Sequence, residues 1–345
     1  MKSTVSECFQ AECTVTGIKM ANKGYRKIYL GEQALFRLIL KHRFVESTSS
    51  SRIETETFTT SLASHLGAYV TLVRVPNCLM IGLAVVVGET IALGIFPSLP
   101  QAVLGFLTAS LLLAGTMVLN DIQDVQIDKV NSPDRPIPSG KVSIREAYAA
   151  SMILSGLALL SSAFLGILPL LTAVVALALM AYYNTRGKKT GLLGNAVVSF
   201  NVALPFLFGG FAVDHPIRPL LFIFFLLAFL ANLAREIAKG ISDIEGDSAK
   251  RVRTIAVTLG PKRAGLIAGA LFVVAAALSF TTPLVDKISW FYYPGVVAAD
   301  LGFLYSSYRL VLDQTAKTVR VVKTQVLLWM LLGLVGFLMG GSSIL

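Results

Sequence analysis

A group of acidic and amide side chains, Asn120, Asp121, Asp124 and Asp128, follows directly on a long apolar segment, 102–119. If that segment continues as a helix, Asn120, Asp124 and Asp128 are spaced four residues apart and lie along one side of it. Carboxylates at this spacing repel one another, so a cation is expected among them. A hard divalent metal that keeps bound water and bridges phosphate oxygens, such as Mg²⁺, fits these ligands best. Asn120 and Asp121 can serve the metal, or they can cap the helix or pair with a neighbour instead.

A second pair of carboxylates, Asp243 and Asp247, follows another long apolar segment, 220–233, with the same spacing of four. Two acidic groups that face each other across one cavity with a basic rim suit a diphosphate held through Mg²⁺. The metal neutralises phosphate oxygens and stabilises a leaving diphosphate. The two aspartate groups can share a diphosphate only if the predicted helices bring them to the same cavity.

The composition indicates a polytopic membrane protein. Of the 345 residues, 54% are hydrophobic and only 14% are charged, and the mean hydropathy is +0.70. We predict an all-α fold of about nine transmembrane helices around a central cavity that opens to the cytoplasmic side. The predicted spans are 76–96, 100–123, 144–165, 167–184, 191–213, 217–240, 262–283, 288–310 and 325–343.

Basic residues concentrate in the loops that follow the even-numbered spans, whereas the alternate loops contain little more than Arg218 and Lys287. Because Lys and Arg collect in cytoplasmic loops, this multi-pass protein of the cell membrane is predicted to have a cytoplasmic N-terminus and an external C-terminus. Both aspartate groups then lie at cytoplasmic ends. An acidic loop end exposed to water is disfavoured for them, because charges at membrane helices are costly and usually functional.

The same loops account for the net charge of +10, so the charge does not indicate a nucleic-acid partner, and nothing in the sequence implies a protein partner. The three Cys and three His are scattered, which argues against a disulfide framework or a zinc site. Residues 1–60 are polar and form an N-terminal extension that is expected to be disordered or to reflect a start codon assigned too early. The membrane domain is predicted to occupy 61–345.

Basic and aromatic side chains near the aspartates are candidates for direct substrate contact. Lys and Arg donate hydrogen bonds to phosphate oxygens, and the residues placed to do so are Arg74, Arg135, Lys141, Lys188 and Lys239. An aromatic face stabilises the carbocation that forms when diphosphate leaves an allylic carbon. Tyr182 and Tyr183 are candidates for that role, with the interfacial aromatic belt as the equally weighted alternative.

A charged series, Arg235, Lys239, Asp243 and Asp247, is predicted along one side of the sixth span and its continuation. For Arg235, ligand binding and a salt bridge within the helix are equally good interpretations. Two further carboxylates, Glu89 and Asp300, lie well inside apolar spans, and structural roles are favoured for both.

These motifs resemble the UbiA superfamily of intramembrane prenyltransferases over roughly residues 68–343. The first signature, Asn-x-x-x-Asp-x-x-x-Asp, is matched by Asn120, Asp124 and Asp128, and the second, Asp-x-x-x-Asp, by Asp243 and Asp247. Three further sequence segments also match the superfamily: 134–138, 188–195 and 235–243. The resemblance implies nine helices around a central cavity, Mg²⁺ as cofactor, the five motif residues as metal ligands with the four aspartates catalytic, and a prenyl diphosphate substrate.

Within the superfamily, segments 74–80 and 235–247 are most similar to the archaeal digeranylgeranylglyceryl phosphate synthases. That similarity implies transfer of a geranylgeranyl group from geranylgeranyl diphosphate to the hydroxyl of a lipid-like acceptor, geranylgeranylglyceryl phosphate. The product would carry the second ether bond of archaeal membrane lipids. Two alternatives stay open: prenyl transfer to an aromatic acceptor of quinone, haem or chlorophyll pathways, and cation transport.

Overall fold

The computed structural model describes residues 65–215, 218–249 and 252–341, all within one compact unit, Ala63–Leu345. The predicted N-terminal extension, 1–60, lies outside the described residues. A short helix over 65–73 comes first, and nine long helices follow it: α1 (Val75–Leu93), α2 (Leu99–Asn131), α3 (Ile144–Leu165), α4 (Ile167–Thr185), α5 (Leu192–Ala212), α6 (Pro219–Ser242), α7 (Pro261–Ser279), α8 (Tyr292–Leu312) and α9 (Ala316–Gly341). Within these ranges the fold contains no β-strand.

The long helices lie where the nine apolar spans were predicted, and eight of them are long and apolar enough to cross a membrane. The exception is α8, which carries Asp300, Arg309 and several Tyr and Ser residues and is therefore less apolar. The prediction of a polytopic all-α membrane protein is thus confirmed, with nine as an approximate number of spans. The first aspartate group is helical, because α2 continues to Asn131 rather than ending near residue 123.

Local sequence signals explain where several helices begin. Ser143 accepts a hydrogen bond from the Glu146 backbone N–H, and the Glu146 carboxylate accepts one from the Ser143 N–H, which forms a capping box at the start of α3. Pro219 and Pro261 are the first residues of α6 and α7, where the missing N–H of proline costs no helical hydrogen bond.

The helices close into a ring. Helix α1 packs against α2, α5 and α9, and α6 packs against α5, α7 and α9. An aromatic core joins them toward the end that carries the α5–α6 connection, where Phe224 and Phe337 stack with ring centroids 3.8 Å apart and Phe206 meets Phe337 edge-on at 5.9 Å. We call the opposite end, which carries the α2–α3, α4–α5 and α6–α7 connections, the charged end.

Candidate active site

A cavity of about 1080 Å³ opens at the charged end and continues down to the aromatic core. Its volume is slightly above the roughly 300–1,000 Å³ of ordinary ligand sites. Its walls are polar near the loops and apolar below, where Leu227, Met330 and Phe337 line it. Ten of the eleven predicted site residues line this one cavity: Arg74, Asn120, Asp124, Asp128, Arg135, Tyr183, Lys188, Lys239, Asp243 and Asp247.

Lys141 is the predicted site residue that the cavity does not include. Its neighbour Val142 is buried, 1% exposed, in an apolar cluster with Val118 and Ile137. Because Val142 turns inward, Lys141 points outward and is exposed. Its position therefore gives no contact with a ligand in the cavity, and the sequence could not show which way this loop faces.

The first aspartate group forms a wall of the cavity on α2. The Lys188 ammonium donates a hydrogen bond to Asp124 Oδ2 over 2.8 Å, and Asn120 Nδ2 donates one to the same oxygen over 3.1 Å. Arg135, from the loop after α2, donates to Asp128 Oδ2 over 2.6 Å. These bonds use only one oxygen of each carboxylate.

Asp121 has a different position. It is 5% exposed and does not line the cavity. Arg74 Nη2 lies 2.7 Å from its Oδ1 and Arg135 Nη1 lies 3.7 Å from the same atom. Of the interpretations left open for Asp121, pairing is the one observed, and the pairing holds two arginines at the edge of the cavity.

Arg74 has unusual backbone geometry, with φ 56° and ψ 58° at the start of α1. Non-glycine residues rarely adopt this left-handed conformation, and such residues cluster at functional sites. Its guanidinium bonds Asp121 and also contacts the Met117 sulfur at 3.1 Å. The turn between helix 65–73 and α1 thus directs a cation toward α2.

The second aspartate pair does not continue α6, and the predicted series along one side of that helix is wrong beyond Lys239. Helix α6 ends at Ser242, Asp243 is its non-helical C-cap, and a short helix, Ile244–Ala249, follows. Ser242 Oγ donates a hydrogen bond to Asp243 Oδ1 over 2.9 Å, and the Asp247 N–H donates to the Asp243 carbonyl over 2.9 Å. The joint turns both carboxylates toward the cavity.

Glu236 is a cavity residue that the sequence analysis missed. It is 8% exposed, and its carboxylate lies 2.9 Å from Arg235 Nη1 and 3.4 Å from Lys239 Nζ. For Arg235 the salt bridge within the helix is therefore present, and Arg235 also lines the cavity. The sequence did contain a signal for Glu236, because an acidic residue between two basic residues inside an apolar span is usually functional.

The two adjacent tyrosines differ in whether they line the cavity. Tyr183 lines the cavity, whereas Tyr182 does not line it and is 40% exposed. Neighbouring helical residues point about 100° apart, so the two rings face different surroundings.

The α4–α5 connection brings Lys188 to the acidic wall. Gly191 has φ 63°, and a Cβ there would overlap the Arg253 carbonyl, so only glycine lets this connection approach the α6–α7 segment so closely. Burial lowers the pKa of the Lys188 ammonium, and the hydrogen bond to Asp124 opposes that effect.

The acidic side chains fit a metal that binds together with a phosphate group. Among the described residues, no three His, Cys, Asp or Glu side chains form a cluster that would hold a metal ion alone. Mg²⁺ commonly binds through one or two carboxylates plus waters and substrate phosphates. Carboxylates on two walls, each near a cation that can bond phosphate oxygens, are the arrangement that such shared binding requires.

The sequence model of the UbiA prenyltransferase family matches residues 81–332. Relatives described as digeranylgeranylglyceryl phosphate synthase include the protein of Sulfolobus acidocaldarius, which is 33% identical over 80% of this chain and 98% of its own length. The Methanopyrus kandleri protein of the same description is 37% identical, over 79% of this chain and 98% of its own length.

Solved structures share the architecture. One that concerns digeranylgeranylglyceryl phosphate synthase in membranes has a TM-score of 0.65 and 30% identity, covering 80% of this chain and 98% of that one. A UbiA homologue from Archaeoglobus fulgidus, bound to GPP and Mg²⁺, has a TM-score of 0.58 at 22% identity, covering 78% of this chain and 99% of that one. The latter likeness is one of fold.

Proposed function

The chain belongs to the UbiA prenyltransferase family, and from that premise we propose that it transfers a geranylgeranyl group from geranylgeranyl diphosphate to the hydroxyl of geranylgeranylglyceryl phosphate. The observation that carries the proposal is the pair of aspartate groups on two walls of one cavity, with cations beside them and an apolar floor below. Such a cavity takes a phosphorylated head at the charged end and a long apolar chain beneath it.

The choice of acceptor is supported by the relatives. Proteins from several archaea that are 32–37% identical to this chain carry the digeranylgeranylglyceryl phosphate synthase description. An aromatic acceptor would leave that agreement unexplained. Cation transport is disfavoured, because the family is one of prenyltransferases and the aspartates gather at one end of the bundle rather than along a path through it.

We assign metal binding to the two aspartate groups: Asp124 and Asp128 with the help of Asn120 on α2, and Asp243 and Asp247 after α6. When bound, Mg²⁺ neutralises the diphosphate oxygens and stabilises the leaving diphosphate. The carboxylate oxygens of Asp124 and Asp128 that accept no bond from Lys188 or Arg135 support this assignment.

The cations of the α2 wall are assigned to binding the diphosphate of the donor. Lys188 and Arg135 lie beside the aspartates and donate hydrogen bonds to diphosphate oxygens, with Arg74 behind them. The bond between the allylic carbon and the diphosphate oxygen breaks, and the electron pair leaves with diphosphate. The Tyr183 ring stabilises the allylic cation through its face.

The acceptor hydroxyl oxygen then forms the new ether bond to the allylic carbon, and the hydroxyl proton is lost to diphosphate or water. The apolar lower walls exclude bulk water, which limits hydrolysis of the cation.

Lys239 is assigned to a substrate phosphate on the opposite wall. The charge pattern of the loops supports a cytoplasmic charged end, a cytoplasmic N-terminus and an external C-terminus, with the catalytic domain at 61–345.

The test is a transfer assay with the purified chain in detergent, labelled geranylgeranyl diphosphate and Mg²⁺, offered either geranylgeranylglyceryl phosphate or 4-hydroxybenzoate. Label in the glycerol lipid is the expected result, and it requires Mg²⁺. Label only in the aromatic acid would overturn the acceptor and keep the family chemistry. No transfer to either acceptor and no release of diphosphate, from protein that remains folded, would overturn the proposed function.

A further inference from the structure

We propose that Arg235, Lys239 and Lys323, contributed by α6 and α9, form a second anion subsite that binds the phosphate of the lipid acceptor. This inference rests on the proposed function and goes beyond it by giving donor and acceptor phosphates separate sites. Lys323 is the new residue: it falls between the predicted spans 288–310 and 325–343, whereas in the structure it lies in α9 and lines the cavity.

Each wall carries more cations than carboxylates once the four motif aspartates are assigned to the metal. On the α2 wall Arg74, Arg135 and Lys188 then remain with one carboxylate, that of Asp121. On the α6–α9 wall three cations surround a single carboxylate at the same depth, that of Glu236.

Each wall therefore keeps a surplus of two positive charges when its two motif aspartates take part in metal binding. A phosphate monoester carries about −1.5 to −2 at neutral pH. The surplus of the α6–α9 wall thus matches an acceptor phosphate, while the metal and the surplus of the α2 wall compensate the charge of the donor diphosphate.

Lys323 is the cation best placed to reach a ligand. In the part of the chain that the structure describes, no carboxylate forms an ion pair with its ammonium, although its charge acts on Glu236. The Lys323 carbonyl accepts a hydrogen bond from Arg235 Nε over 3.3 Å, which fixes α9 against α6 at this level. The subsite is therefore built by two helices in contact rather than by a flexible loop.

The position of the cations along the helices also fits a head-and-tail ligand. Arg235 lies seven residues before the end of α6, about 10 Å below it. Below Lys323 the same side of α9 presents Leu327, Met330, Leu334 and Phe337 to the cavity. That side extends over about 21 Å. A polyprenyl chain attached to a phosphorylated glycerol has the same order, an anionic head above a long apolar tail.

The test compares Lys323→Gln with Lys317→Gln, which makes the same charge change on α9 but outside the cavity. Each purified variant is assayed with geranylgeranylglyceryl phosphate and with its dephosphorylated analogue, at fixed donor and Mg²⁺. Loss of a hydrogen bond between charged groups is worth roughly 10- to 100-fold. We therefore expect Lys323→Gln to lower kcat/KM for the phosphorylated acceptor by that factor and to leave the analogue and the KM for the donor within about two-fold.

Lys323→Arg keeps the charge and is expected to restore most of the preference for the phosphorylated acceptor. Lys317→Gln is expected to behave as the unchanged protein. An equal loss for both acceptors, a rise in the KM for the donor instead, or no change at all would overturn the subsite. Failure of the unchanged protein to use either acceptor would instead refute the proposed function, so the two failures can be told apart.

Discussion

Replacing Asp124 with asparagine removes one negative charge from the α2 wall and preserves the shape of the side chain. The structure predicts a small effect on stability. The Lys188–Asp124 pair, at 2.8 Å, has a gross attraction of about 6 kcal/mol at an effective dielectric constant of about 20. Both side chains are 25% exposed, and pairs this accessible contribute nearer to 1 kcal/mol. The expected decrease in melting temperature is about 2–4 °C.

The expected effect on catalysis is much larger. If Asp124 is a ligand of the metal that holds the leaving diphosphate, its loss acts directly where charge develops in the transition state. Removing one group of that kind costs about 10²- to 10³-fold in kcat. Asp124→Asn should therefore lose at least about 100-fold in transfer, and its half-saturating Mg²⁺ concentration should rise.

The assay is initial-rate transfer of labelled geranylgeranyl groups across a Mg²⁺ titration, beside a melting curve in the same detergent. Glu146→Gln is the matched control, because it also neutralises one carboxylate and weakens one local contact, the capping box of α3, outside the cavity. It should lose up to about 1 kcal/mol of stability and no activity. An Asp124→Asn protein that keeps more than a tenth of its activity at low Mg²⁺ would refute the metal assignment.

Three further results are expected. Tyr183→Leu should lower kcat by about ten-fold while Tyr182→Leu leaves it unchanged, because only Tyr183 lines the cavity; equal effects in the transfer assay would favour the aromatic belt. Because burial lowers the pKa of Lys188 and the protonated amine is the binding form, kcat/KM for the donor should fall with rising pH at a lower pH than for an ordinary lysine, and Lys188→Arg should move that fall upward. Gly209→Ala places a Cβ 2.5 Å from the Glu89 nitrogen and should cost about 1–3 kcal/mol by thermal unfolding, whereas Gly156→Ala, with nothing within 4 Å, should be neutral or stabilising.

The meeting of the two aspartate groups was predictable from the sequence. Each group follows an even-numbered span, and a chain that crosses a membrane returns to the same side after every second crossing. Asp124, Asp128, Asp243 and Asp247 were therefore expected at one end, and the structure places all four along one cavity. The apolar segments also predicted where the helices lie. The predicted end of α2 was too early, because polar residues continue that helix beyond its apolar segment.

The pairing of individual side chains was not predictable. Lys188 and Asp124 are 64 residues apart, and their contact depends on how the α4–α5 connection turns at Gly191. The same holds for Lys141, whose outward direction follows from the burial of Val142. Sequence spacing gives direction only within one helix, so loop residues needed the fold.

Two carboxylates inside the bundle, Glu89 and Asp300, are buried but do not line the cavity. Glu89 is fully buried and lies outside the cavity, and a Cβ on Gly105 of α2 would overlap its carboxylate, so the glycine makes room for that side chain. Asp300 on α8 accepts a hydrogen bond from Ser279 of α7 over 2.6 Å. Asp300 therefore joins α7 to α8, as interhelical polar contacts in membranes commonly do. Among the described residues the Glu89 carboxylate has no hydrogen-bond partner, and it fits against α2 by shape. Since Asp124 and Asp128 share the helical setting of these two acids but line the cavity, access to a common ligand is the property that separates the acids proposed for catalysis from Glu89 and Asp300.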